Sequence, residues 1–156
     1  MTDSSYTSII WLTQGKYAIV DSGDLELLSA FKWCFNGGYA ATWRADVKIY
    51  MQKLLMNTPD KMDTDHIDRN KLNNRRSNLR VCTRSQNQGN RPSFVGSSKF
   101  KGVSWNAQAS KWQVSIMKDR VNFYLGRFRD ESEAAKAYNK AAKEIYGEFA
   151  YLNELV

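Results

Sequence analysis

The stretch that most constrains this chain runs Asp65-His66-Ile67-Asp68-Arg69-Asn70-Lys71-Leu72-Asn73-Asn74-Arg75-Arg76-Ser77-Asn78-Leu79-Arg80-Val81-Cys82-Thr83-Arg84-Ser85-Gln86-Asn87. His66 is the protein's only histidine and directly follows a carboxylate. Hydrophilic turn residues then carry the chain to one short apolar run, Leu79 to Cys82. This local pattern predicts a strand, a polar loop, a second strand, and a helix beginning near Thr83 or Arg84.

The flanking segments read differently. Residues 6–20 hold two apolar runs separated by Gln14 and Gly15, the pattern of a β-hairpin. An acidic turn, Asp21 to Asp24, leads to a short helix over Leu25 to Phe31 with Asp24 as its expected cap. Strands are expected at 32–35, 39–44 and 48–51, with Gly37-Gly38 as the turn between the first two. Residues 1–56 therefore read as a small β-rich unit supporting the central hairpin. Residues 57–95 take in that hairpin, the helix after it and a linker. The linker is the Asn, Gly, Pro and Ser-rich stretch from Asn87 to Ser98, which puts a boundary near residue 95. Beyond it lie strand candidates at 102–106, 112–117 and 122–128, then a helix with Asp130 as N-cap, Glu133 three residues on, and Gly147 as its stop. Its apolar stripe, Ala134, Ala135, Tyr138, Ala141, Ala142 and Ile145, is small enough to lie close against a sheet. The fold class is α+β.

The 156 residues are enough for one domain or two small ones. Basic side chains outnumber acidic ones by 23 to 16, and the excess is uneven. Residues 1–50 carry four basic and five acidic groups, residues 51–92 nine and four, and residues 93–156 ten and seven. A near-neutral start followed by basic segments fits a polyanion partner. Two cysteines, Cys34 and Cys82, with no Cys-x-x-Cys spacing indicate neither a disulfide framework nor a zinc knuckle, and both read as small core residues of a reducing compartment. No apolar stretch approaches the ~20 residues of a membrane span. A soluble, intracellular, cytoplasmic protein is expected, nucleoid-associated in a bacterial host.

Hydrolysis of a phosphodiester needs a base to activate water and a cation to neutralise charge on the phosphate and leaving oxygen. Histidine suits the first task because its ordinary pKa, about 6.5, leaves it largely neutral at physiological pH. Carboxylate and amide oxygens suit a hard cation such as Mg²⁺, which keeps several of its waters. Asp65 and the nearby asparagines offer such oxygens. On chemistry alone, an Asp-His pair is also what a surface turn looks like.

The order of residues goes further than their chemistry. An Asp-His-Ile-Asp-x-Asn strand end, followed by Asn-Asn-Arg-Arg-Ser-Asn-Leu-Arg and then Thr-x-Ser-x-Asn, resembles the HNH endonuclease motif of phage and intron-encoded homing enzymes. The resemblance implies a ββα-metal hairpin and helix. It also implies that Asp65 binds the metal, that His66 is the general base, that Asn78 braces the loop and orients the histidine by a hydrogen bond, and that Asn87 is the second protein ligand. The implied cofactor is one Mg²⁺ or Mn²⁺ per active site. Gln52-Lys53 stand where the family usually carries His-Arg. Among the surrounding arginines, Arg75, Arg76 and Arg84 are the expected phosphate clamps, because a guanidinium grips phosphate through two donors. Arg80 is expected to be a solvated charge.

From Ser97 to Leu155 the sequence resembles the Apetala-two / ethylene-response-factor DNA-binding domain. The matching features are Phe100-Lys101-Gly102-Val103, Lys111-Trp112, Tyr124-Leu125-Gly126, the alanine-rich helix from Glu133, and Leu152-Asn153. The resemblance implies a three-stranded antiparallel sheet laid on DNA with one helix packed behind it. Candidate DNA contacts are Lys101, Trp105, Lys111, Lys118, Tyr124 and Arg127, whereas Trp112 and Tyr138 read as core. The expected partner is double-stranded DNA, bound by a monomer or a homodimer. One catalytic motif per chain implies one strand cut per site. The competing reading is a DNA-binding or regulatory protein with a degenerate motif.

Overall fold

A computed structural model describes residues 6–92 and 96–155. The chain divides into two compact units, Met1–Arg84 and Ser85–Val156. Composition places a boundary near residue 95, whereas the contacts divide the chain at residue 84. Among the described residues no helix is long and apolar enough to cross a membrane.

In the first unit, β1 (Thr7–Trp11) and β2 (Tyr17–Asp21) form the expected antiparallel hairpin, with Ile9 opposite Ile19 and Trp11 opposite Tyr17. Its tight turn places both Gln14 and Gly15 at positive φ, a conformation that glycine tolerates freely. Alternation buries Ala18 and Val20 and turns Ile9, Trp11 and Tyr17 outward. A single helical turn, Ser22–Asp24, leads into α1 (Leu25–Ser29). Asp24 does not cap α1 as expected; its carboxylate is engaged by Arg76 instead.

Strands β3 (Cys34–Asn36), β4 (Tyr39–Arg44) and β5 (Val47–Tyr50) form an antiparallel sheet in that order. The last expected strand stops one residue early, because Met51 begins a short helix, α2 (Met51–Leu55), which the sequence reading did not assign. Met51 and Leu55 are four residues apart, so both reach one core. That core gathers Leu12, Ala18, Val20, Leu28, Trp33, Ala40, Met51, Leu55 and Leu79.

Leu79 comes from the polar hairpin, formed by β6 (Asp63–His66) and β7 (Leu79–Cys82), which pair Asp63 with Cys82, Asp65 with Arg80 and His66 with Leu79. The loop between them docks on β2. Ile19 N–H donates to Leu72 O at 2.8 Å, and Asn74 N–H donates to Ile19 O at 2.7 Å.

Helix α3 (Arg84–Gly89) spans the division between the units and runs three residues into the stretch that composition marks as linker. In the second unit, β8 (Val103–Asn106), β9 (Lys111–Lys118) and β10 (Val121–Phe128) form an antiparallel sheet with β9 central. Helix α4 (Glu131–Tyr146) opens with Asp130 Oδ1 accepting from Glu133 N–H at 2.9 Å and ends at Gly147, φ +55°. Its Ala134, Ala135, Tyr138 and Ala142 are buried, as are Val103, Val114 and Ile116 of the sheet. The small side chains allow a close approach, and Gly102 carries it furthest. At φ +76°, a Cβ there would overlap the Tyr138 ring and lie 2.6 Å from Ser115 O.

Gly102→Ala therefore combines overpacking with a disfavoured backbone, and we expect it to destabilise the second unit by about 2–4 kcal/mol. A thermal melt followed by circular dichroism checks this; an unshifted transition would show that the contact relaxes freely.

Candidate active site

Asp65 and His66 are consecutive residues of β6, and each is only 5% exposed. A buried carboxylate needs a compensating charge. Arg80, its cross-strand partner, supplies one, donating Nε at 2.9 Å and Nη2 at 2.7 Å to Asp65 Oδ2. The Arg80 side chain is 13% exposed, so it is not the solvated charge the sequence suggests. Pairing with Arg80 holds Asp65 in place.

The His66 ring meets Asn74. Nε2 lies 3.2 Å from Asn74 Oδ1, and Asn74 is fully buried and tied by its backbone to Ile19. This contact fixes the orientation of the ring. Burial pushes the His66 pKa down, against the upward influence of the Asn74 bond, Asp68 and Asp65, while Lys71 adds to the lowering. The imidazole is thus neutral near pH 7, the form a general base requires.

Asn78 occupies the loop. Its Oδ1 accepts from Asp68 N–H at 3.0 Å, and its Nδ2 donates to Asp68 Oδ1 and Asn73 O, both at 2.8 Å. These bonds tie Asn78 into the loop, and the contact with the His66 ring is made by Asn74. Asp68 in turn accepts from Asn70 N–H and Asn73 Nδ2. Burial pushes the Asp68 carboxyl up, but the hydrogen bonds from Asn73, Asn78 and Asn70 outweigh it and hold the group below its usual range.

Two of the expected phosphate clamps have carboxylate partners. Arg75 Nε donates to Asp21 Oδ1 at 3.1 Å. Arg76 grips both oxygens of Asp24 and donates Nη1 to Leu55 O at 2.6 Å, while its N–H donates to Asp21 Oδ2 at 2.8 Å. These donors latch the loop to the first hairpin and α2. Gln52 is buried, whereas Lys53 lies on the surface, donating to Met62 O and standing 3.9 Å from Asp63. The substituted Gln52-Lys53 pair thus splits between an interior position and a contact with the approach to β6.

The expected residues beyond the hairpin fall into three groups. In α3, Arg84 is exposed and closes the first unit, while Asn87 is half-buried and belongs to the second. Lys101, expected on DNA, instead donates Nζ to Gln88 O and Gly89 O at the end of α3, and burial brings its pKa down to about 8. Trp105 pairs with Trp112 in the register that also pairs Val103 with buried Val114, so both tryptophans lie on the helix side of the sheet. Lys118 shares that side by strand alternation with Ile116. Lys111, Tyr124 and Arg127 lie on the opposite, open face. A bulge at Leu125 makes this possible: Tyr124 opposes Ser115 and Arg127 opposes Gln113, although the two are three residues apart.

Asn74, Asp21, Asp24 and Arg80 escape the sequence reading. Asn74 and Arg80 lie inside the motif without a local sign of their partners. Asp21 and Asp24 meet their arginines across more than fifty residues, where no spacing rule applies.

Residues 57–88 match the family model described as HNH endonuclease. An uncharacterized HNH endonuclease of Acanthamoeba polyphaga mimivirus is 30% identical across 96% of this chain and 81% of its own length. Protein 3.8 of Escherichia phage T7 is 32% identical across 55% of this chain and 71% of its own length. No solved structure is a significant match.

Two predictions follow from the buried ring and the latch. A histidine whose folded pKa is lowered binds protons more readily in the unfolded chain, so its contribution to stability is intact above about pH 6.5 and falls as pH drops toward the folded value. In chelator, the melting temperature should therefore decline below pH 6.5, and part of that decline should be missing in His66→Gln. Identical pH profiles would contradict the buried neutral ring. Arg76→Ala strips a buried carboxylate of its partner at a half-exposed position, and we expect about 1–2 kcal/mol of destabilisation in urea titration. Unchanged stability with weakened DNA binding would instead favour the phosphate clamp.

Proposed function

We propose that this chain, which belongs to the HNH endonuclease family, hydrolyses phosphodiester bonds of double-stranded DNA with His66 as the general base. The observation that carries this reading is the His66 imidazole, buried and neutral, bonded through Nε2 to Asn74 and adjacent in β6 to the buried carboxylate of Asp65. Burial, neutrality and fixed ring orientation are what proton abstraction from water asks of a base.

The imidazole takes the proton as the water oxygen attacks phosphorus. The imidazolium that results is stabilised by the fields of Asp65 and Asp68, the groups that already favour its charged form. The bond from phosphorus to the 3′ oxygen then breaks, and that oxygen leaves as a hydroxyl by taking a proton from solvent water. Asn74 and Asn78 act by position: the first holds the ring, and the second fixes the loop through Asp68.

Among the described residues no cluster of three or more His, Cys, Asp or Glu side chains gathers to hold a metal. The Asp65 carboxylate is an oxygen donor of the kind that suits Mg²⁺ or Mn²⁺, which retains most of its water, and the resemblance to the HNH motif adds the Asn87 amide oxygen as the second ligand. Once bound, such an ion neutralises charge on the phosphate and on the leaving oxygen.

For recognition, we assign the open face of the C-terminal sheet, with Lys111, Tyr124 and Arg127, to DNA, in keeping with the Apetala-two-like sequence pattern. Arg84 remains an exposed phosphate contact. Lys101 and Trp105 take structural roles, while Arg75 and Arg76 become the latch. One catalytic hairpin per chain supports a homing-type enzyme that nicks as a monomer and breaks both strands as a homodimer or in two visits.

The purified protein should convert supercoiled plasmid to nicked circles with Mg²⁺ or Mn²⁺, chelator should abolish this, and His66→Ala should slow it about 10²–10⁴-fold. DNA binding without metal-dependent nicking would sink the hydrolytic reading and favour a regulatory protein with an inactive motif.

A further inference from the structure

One face of the β3–β4–β5 sheet carries side chains that neither the core nor the catalytic chemistry uses. Cross-strand partners share a face, so the pairs Asn36 with Tyr39, Ala41 with Tyr50 and Trp43 with Lys48 set Asn36, Tyr39, Trp43, Lys48 and Tyr50 on one side. Ala40 and Thr42 alternate with them and are buried from the other side, while Ala41, on the face of the rings, is buried as well. Trp43 is 47% exposed, and none of the described strand residues on this face is a carboxylate. Asp46, the one acid of the β4–β5 hairpin, sits in its turn.

The rings and ammonium groups are contiguous with His66. Lys48 Nζ lies 5.2 Å from the Trp43 ring centre and 5.9 Å from that of Tyr50. Tyr50 and Tyr39 meet at 5.4 Å, Lys71 Nζ stands 4.5 Å over Tyr39, and Tyr39 is 6.2 Å from the His66 ring. Gly38 makes room for this arrangement. At φ +92°, its ideal Cβ position is 3.3 Å from Lys71 Cδ, so a larger residue would crowd the lysine stem.

We propose that this face is a DNA track that holds the strand flanking the scissile phosphate, with Lys71 and Lys48 on its phosphates and Tyr39, Tyr50 and Trp43 against its sugars and bases. The proposal rests on His66 being the catalytic base, which fixes one end of the track. Alternation of flat rings with ammonium groups matches the alternation of base or sugar with phosphate along a nucleic-acid strand. Exposed lysines stacked on rings keep ammonium hydrogens for phosphate. The absence of carboxylates completes the complementarity to a polyanion.

The test uses the full chain carrying His66→Ala, so that DNA survives equilibrium binding, titrated with a labelled duplex of random sequence over a salt series. Adding Trp43→Ala with Lys48→Ala should weaken binding about tenfold or more, and should reduce the slope of log affinity against log salt by about 0.9, one phosphate contact. Restoring charge with Lys48→Arg should return the slope. Arg44→Ala removes the same charge from the opposite face of the same hairpin and should change affinity by less than about twofold. Circular dichroism verifies that these surface variants fold. Unchanged affinity and slope in the double variant, or an equal loss in Arg44→Ala, overturns the track. Plasmid nicking by the unmutated chain separates the two readings: nicking without a Lys48 effect overturns the track and leaves the hydrolytic reading standing, whereas a Lys48 effect without nicking overturns the hydrolytic reading and with it the scissile end of the track, leaving a DNA-binding face.

Discussion

The docking of the 67–78 loop onto β2 is the constraint on which the candidate site depends. This loop is mostly polar, and it meets the apolar cluster of the first unit only through Leu72, which packs against it, and Leu79 at its end. Its geometry is therefore imposed by hydrogen bonds. The Ile19 backbone receives Asn74 and donates to Leu72, while Asp21 and Asp24 capture Arg75 and Arg76. Because the backbone of Asn74 is fixed to Ile19, its side chain is fixed against His66. A strand near the start of the chain thus sets the orientation of the proposed base.

Charge is distributed on the same logic. The three carboxylates nearest the loop's supports, Asp21, Asp24 and Asp65, each have an arginine, and the Asp65–Arg80 pair is the most enclosed. Separating a buried pair is far more expensive than keeping it. Asp65 therefore keeps its partner inside the fold, next to a histidine whose pKa burial lowers. Arg76 illustrates the other side of the balance, since Asp24 holds its already high pKa higher still. A permanent cation serves there as a fastening, with no proton to exchange.

Local signals account for what could be read in advance. Period-two alternation and glycine turns marked β1, β2, β4 and the three strands of the second unit, and the capping pair Asp130 and Glu133 marked α4 to within a residue. The pair Asp65-His66 was legible because the chemistry and the motif both occupy consecutive positions. Contacts between distant segments were not legible. Arg75 and Arg76 look like phosphate clamps in isolation, and only the fold reveals Asp21 and Asp24 as their partners. Asp24 itself reads as a helix cap until Arg76 claims its oxygens. Lys101 fails as a DNA contact for a related reason: the carbonyls at the end of α3 attract its ammonium group, and nothing in its own segment announces them. A one-residue irregularity also escaped notice, since the bulge at Leu125 reassigns faces along half of β10.

That bulge and the β3–β4–β5 register bear on the same question, which is how small sheets leave polyanion-binding side chains exposed. A sheet that packs a helix on one side leaves its other side for a partner, and alternation then decides which residues that partner meets. In the second unit, Tyr124 and Arg127 would lie on opposite faces without the inserted residue, because an odd separation along a regular strand reverses the side. In the first unit the same rule, uninterrupted, places Tyr39 and Trp43 together at a separation of four and adds Lys48 and Tyr50 through their partners. One sheet reaches an aromatic and basic face by breaking the period and the other by keeping it. The residue types alone would have grouped Trp105 and Arg127 together; the strand register separates them.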